Sequence, residues 1–169
     1  MCFVWKEIYI IIISLFFISC GGGDRYKGYK IFRYNESAGV TSLDPAYAKD
    51  QANIWVCNQL YNGLVQLDDS LKIRPCIAKR WEISVDGRVY KFYLRRDICF
   101  HDNVVFKNAR YVNANDFVYS FNRIMDPNVA SPGRWVFDVV RYDSVKKRYC
   151  FEAINDSILR IELKRPFSP

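Results

Sequence analysis

Residues 78–96 read Ala78-Lys79-Arg80-Trp81-Glu82-Ile83-Ser84-Val85-Asp86-Gly87-Arg88-Val89-Tyr90-Lys91-Phe92-Tyr93-Leu94-Arg95-Arg96. Two β-prone runs, 80–84 and 89–95, flank Asp86-Gly87, a pair suited to the positive φ of a tight hairpin turn. Strand side chains alternate between faces. Tyr90, Phe92 and Leu94 therefore share one face, and Lys91, Tyr93 and Arg95 the other. That pattern predicts an antiparallel sheet with one buried and one wetter face.

Downstream, Asn113 and Asp116 have the spacing of a reciprocal helix cap. Phe117, Phe121, Ile124 and Met125 then recur on one side, and Asp126-Pro127 stops the helix. A second hairpin is predicted from Arg148–Ala153 and Ile158–Leu163 about Asn155-Asp156-Ser157, with Leu159, Ile161 and Leu163 facing one way. Upstream, a short strand is expected over 64–67. A helix is expected to be capped by Asp50 and ended by Gly63 in a left-handed conformation. Ala52, Trp55, Val56, Gln59 and Leu60 recur on that helix, and Trp55 reads as a core anchor rather than a ligand-stacking ring. Tyr29–Tyr34 is β-prone and suits a first strand, running into the small, polar loop 35–45. The sum is a mixed, β-rich α/β or α+β domain.

The first twenty residues read as an address. Residues 8–18 are an apolar run shorter than the roughly 20 residues of a spanning helix, preceded by Lys6 and followed by small or polar residues. This is the layout of a secretory signal over 1–19. Phe17-Ile18-Ser19-Cys20 resembles a bacterial lipobox. The resemblance implies a lipid on the Cys20 sulfur and a flexible tether over 20–28. The product would be an exported, membrane-anchored protein on the periplasmic side of the cell envelope.

The 169 residues carry a net charge of +7, unchanged without residues 1–19 because Lys6 and Glu7 cancel. The basic residues are scattered, so the charge reads as solvated surface and not as a nucleic-acid footprint. Six cysteines include no CxxC pair, and His101 is the one histidine, which argues against a metal centre. Cys57, Cys76, Cys99 and Cys150 each sit in an apolar stretch and read as buried free thiols rather than disulfides. No Gly-x-Ser-x-Gly, His-Glu-x-x-His or phosphate-cradling glycine loop supports an enzyme. A lipid-tethered structural or adhesion module is the other class left open.

A resemblance sharpens this. Ala78-x-x-Trp81, the Asp86-Gly87 turn and the aromatic strand ending Leu94-Arg95 resemble solute-binding protein family 5, the peptide-binding lipoproteins of ABC importers. Ser42-Leu43-Asp44-Pro45, Leu60–Leu64, Phe100-His101-Asp102, Asn113–Ser120 and Asn155–Pro166 match in order. Asp126–Pro132 resembles the longer-loop branch of Bacteroidetes-type lipoproteins. Asn103 stands where the family usually has Gly, and 103–112 is longer than usual.

The resemblance implies a partial periplasmic-binding-protein type II-like fold with two principal helices. Residues 29–48 would start lobe I, 49–165 would form the insertion lobe, and 166–169 would turn back to lobe I. It further implies hinge closure around a peptide, an ABC permease and ATPase as partners, and no cofactor. Family members are several times longer, so the resemblance reads the chain as an N-terminal fragment unable to hold peptide alone. By position, Ala38, Gly39, Val40 and Thr41 would contribute ligand contacts through backbone groups; the same four residues read equally as a plain turn. Some relatives carry nickel complexes, but His101 beside Asp102 reads as a surface or turn histidine.

Overall fold

The computed structural model describes residues 28–167. They fall into two units, 28–35 and the unit that begins at Glu36. The apolar run read as a secretory signal, and Cys20, lie outside the described residues.

The first helix among the described residues, α1 (Gln51–Leu60), follows a 3-10 turn at Pro45–Tyr47. A small hairpin pairs β1 (Val65–Leu67) with β2 (Ile73–Pro75). The chain then builds β3 (Ala78–Ile83) and β4 (Val89–Leu94), crosses through α2 (Ala114–Met125), and passes a 3-10 turn at Arg134–Phe137. Two short strands, β5 (Tyr142–Asp143) and β6 (Arg148–Tyr149), pair with each other. The hairpin of β7 (Phe151–Asn155) and β8 (Ile158–Glu162) completes a four-stranded antiparallel sheet of order β3-β4-β8-β7.

The alternation expected of residues 89–95 is present. Leu94 is buried and Tyr90 and Phe92 are half-buried, while on the other face Lys91 and Arg95 are exposed and Tyr93 is half-buried. Gly87 has φ +67°, as the hairpin turn demands. Phe92 lies opposite Leu159 and Tyr90 opposite Ile161, so the inward faces of β4 and β8 coincide across the sheet. Helix α2 lies over β7 and β8. Its start carries the full reciprocal cap, with the Asp116 carboxylate accepting from the Asn113 N–H at 2.8 Å. Phe117, Val118 and Phe121 pack on a core that includes Ala78, Leu94, Ala114 and Leu159, each at most 1% exposed. A second cluster gathers Met125, Val140, Phe151 and Leu163, with Phe121, Phe137 and Phe151 in mutual ring contact. Each fully buried side chain of this size contributes about 1.5–3 kcal/mol.

Five expectations need correction. Residues 29–34 form no strand, because a strand needs a ladder neighbour and none of the described β ladders includes them. Helix α1 ends at Leu60 with Tyr61 extended at its C-cap, and Gly63 does not adopt a positive φ. The chain there turns to the sheet instead: the Gly63 carbonyl accepts from Ile77, and the Leu64 carbonyl from Cys76 and Ala78. The strand expected over 148–153 is split, since residues 148–149 pair with β5 while Phe151 onward pairs with β8. Trp55 is not a core residue: it is 47% exposed, while Ala52, Asn53 and Cys57 are buried. The buried stripe runs one residue beside the one anticipated, because Asn53 is drawn inward by hydrogen bonds that an apolar pattern does not register. The four described cysteines are free thiols; Cys57 is buried, but Cys99 is exposed at an isolated bridge to Tyr111.

Candidate functional site

Loop 36–44 is fastened to the first turn of α1. Asp50 caps the helix, its carboxylate accepting from the Asn53 N–H at 3.0 Å. Asn53, 1% exposed, then reaches back across the loop. Its Oδ1 accepts from the Thr41 N–H at 3.0 Å and the Ser42 N–H at 3.3 Å. Its Nδ2 donates to Thr41 Oγ1 and to the second Asp50 carboxylate oxygen, both at 2.8 Å. One buried amide thus satisfies two loop donors and orders the loop against the helix. The Cys57 thiol points at the Leu43 carbonyl 3.7 Å away, and burial pushes that thiol up from its ordinary pKa.

The far side of the loop is held by α2. Arg123 grips Asp44 with both arms of its guanidinium, and that hydrogen-bonded pairing holds the Asp44 carboxyl below the usual carboxylate range. The Ser131 hydroxyl donates to the Ala46 carbonyl at 2.6 Å.

The result is an open groove of about 360 Å³ between loop and helix. Ala38, Gly39 and Thr41 line it from the loop, and Asp50 and Trp55 from α1. Three of the four loop residues singled out from sequence therefore share one groove; Val40, 43% exposed, is not among its lining. Gly39 has φ +75° and open space where a side chain would start. It offers backbone, and no side chain, to the groove. Sequence reasoning did not mark Asn53 or Asp50 as site-building residues. The available signal was an amide at Asn53, three residues after the cap of α1.

His101 lies elsewhere. It is exposed with Nε2 3.3 Å from the Leu60 carbonyl, at the rim of a second, mainly apolar groove floored by Ile77, Ile98 and Phe117. Among the described residues, no three His, Cys, Asp or Glu side chains gather as a metal site, and no helix is long and apolar enough to cross a membrane.

Residues 72–169, more than half of the chain, match the family model of bacterial extracellular solute-binding proteins, family 5 middle region. The chain belongs to solute-binding protein family 5. Of solved structures, a Listeria monocytogenes OppA bound to peptide superposes with a TM-score of 0.69 at 33% identity, covering 79% of this chain and 26% of that one. The di/tripeptide-binding protein 2 of Pseudomonas aeruginosa is 34% identical over 139 residues, which is 78% of this chain and 26% of the relative. The heme-binding protein A of Haemophilus influenzae is 37% identical over 113 residues, 63% of this chain and 20% of the relative. The family 5 chain thus spans about a quarter of the length of the relatives it matches. Its mixed α/β fold, with antiparallel sheets and two helices, corresponds to part of the family's architecture.

Proposed function

We propose that these residues belong to an extracytoplasmic solute-binding lipoprotein that delivers di- and oligopeptides to the permease and ATPase of an ABC importer. The likeness to a peptide-bound relative at a TM-score of 0.69 carries this reading. Residues 29–48 then start lobe I, and 49–165 form the insertion lobe. Loop 38–41 contributes backbone groups to one wall of the peptide clamp. Such contacts suit a transporter of varied peptides, because they engage the main chain common to all of them.

The groove is lined by loop 36–41 and the start of α1 and is open to solvent. Binding needs a closed, desolvated site. In this reading the 169 residues taken by themselves hold peptide at least a hundredfold more weakly than the polypeptide carrying both lobes. Calorimetry with trialanine on the full polypeptide encoded by the gene tests the reading, and absence of heat up to millimolar peptide counts against it.

The anchor is proposed at Cys20. Growth with a radioactive fatty acid labels the wild-type product and not Cys20→Ser; an unlabelled wild-type product removes the anchor. A non-peptide solute is the second reading, favoured by the relative named for heme binding. Competition between trialanine and heme for the full polypeptide separates the two.

A further inference from the structure

The side-chain amide of Asn53 has every one of its hydrogen-bonding positions filled. Oδ1 accepts from the Thr41 and Ser42 N–H groups, and Nδ2 donates to Thr41 Oγ1 and to Asp50 Oδ2. Chemistry fixes which way the amide points. Reversed, Nδ2 would face two N–H donors and Oδ1 would face a carboxylate. Asp50 therefore orients Asn53, and Asn53 in turn orients the loop. Asn53 is 1% exposed. Packing of further polypeptide around the loop deepens such burial and leaves the bonds inside it in place. Three of the four bonds end on Thr41 and Ser42 main-chain or hydroxyl groups, at the end of the stretch 38–41. The Thr41 N–H is thereby committed to the loop's own structure. Gly39, two residues earlier, has the widest backbone freedom of any residue type, so the stretch depends on its anchored end for a defined course.

A binding wall that spends part of its time out of place weakens affinity by the fraction of time it is competent. Fixing it beforehand removes that loss. We infer that Asn53, oriented by Asp50, is a positioning residue of the peptide clamp: it holds loop 38–41 in its binding geometry before peptide arrives, and so sets affinity without touching the ligand. The inference deepens the peptide reading and rests on it.

The test uses the full polypeptide encoded by the gene, trialanine as the probe and calorimetry as the readout, at a temperature where circular dichroism finds each variant folded. Asn53→Ala is expected to bind about tenfold more weakly than wild type. Leu159→Ala removes a side chain from the core between the sheet and α2 and is expected to bind as wild type does. Asn53→Asp keeps the size of the side chain and sets a carboxyl oxygen against Asp50. Ionised, the new carboxyl repels Asp50; protonated, it can donate again. Of the other ionisable groups about the loop, Asp44 is paired with Arg123 and titrates below its ordinary range, and burial raises the Cys57 thiol. The affinity of Asn53→Asp, relative to wild type at the same pH, is therefore expected to fall as pH rises from about 5 to about 9. Wild-type affinity in Asn53→Ala, an equal loss in Leu159→Ala, or a ratio that does not change with pH overturns the inference. Absence of trialanine binding by wild type defeats the peptide reading and this inference with it. Binding by wild type that neither Asn53 variant alters defeats the inference alone.

Discussion

Arg123 and Asp44, 79 positions apart, meet end-on: Nη1 lies 2.9 Å from Oδ1 and Nη2 lies 2.6 Å from Oδ2. This fork ties the segment before α1 to the last turns of α2. With Asn53 on one side and Arg123 on the other, residues 41–46 are held from two helices. The groove wall at 38–41 inherits its position from that double hold.

Replacing Arg123 by Met therefore frees the segment at its α2 side. Both partners are about a third exposed, so with solvent screening the loss is about 1 kcal/mol at neutral pH. The Asp44 pKa is depressed in the folded state, so the contribution is present above the ordinary value of 3.8 and is lost as pH falls through the lower folded value. Urea unfolding of wild type and Arg123→Met should differ at pH 7 and converge as the solution is acidified well below the ordinary Asp value of 3.8. A gap that persists in acid would falsify the ionic origin.

Asn53→Ala leaves the Thr41 and Ser42 amides without their acceptor at a part-buried position. A cost of about 2–3 kcal/mol is expected. Hydrogen exchange should quicken at Thr41 and Ser42 far more than at the β4–β8 pairing. Uniform quickening would instead mean that Asn53 acts on the whole unit.

Two glycines separate strain from crowding. Gly39 and Gly87 have φ +75° and +67°, but a Cβ at Gly39 meets nothing within 4 Å, whereas one at Gly87 comes within 3.3 Å of the Pro166 Cβ. Gly39→Ala should cost about 1 kcal/mol from backbone strain alone. Gly87→Ala should cost more, and Gly87→Asn should recover the strain component but not the crowding. Thermal melts should place Gly87→Ala below both Gly39→Ala and Gly87→Asn.

Asp86 should titrate below the usual carboxylate range. The Ser84 hydroxyl, with the Arg88 side chain and amide, lowers its pKa from 3.8 to about 2. Stability linked to it is present above pH 4 and fades as pH falls towards 2. Carboxyl-carbon titration by NMR should find this value and should find it raised in Ser84→Ala.

Leu159 is 0% exposed, at the centre of the sheet and under α2. Leu159→Ala should cost about 2–5 kcal/mol in chemical denaturation. A loss under 1 kcal/mol would mean that the core between sheet and helix repacks freely.

Much of this was written locally. The hairpin about Asp86-Gly87, the cap of α2 and its stop at Asp126-Pro127 each depend on residues within a few positions of one another, and each stands as read. Trp55 was misplaced because helical spacing marks where apolar residues recur, not which of them a neighbour covers. Asn53 was missed because a polar side chain on an apolar stripe shows its worth only once its partners at Thr41 and Asp50 are in place.

By itself, the chain of residues determined the elements, their alternation and the collinear motifs that mark the family, because turns, caps and periodicity are short-range physics. Tertiary structure alone decided which loop residues share a groove, that Trp55 faces it, and that Asp44 answers Arg123. Those relations join residues distant in sequence. The free energy that selects them comes from burial and pairing, which exist only after the chain has closed on itself.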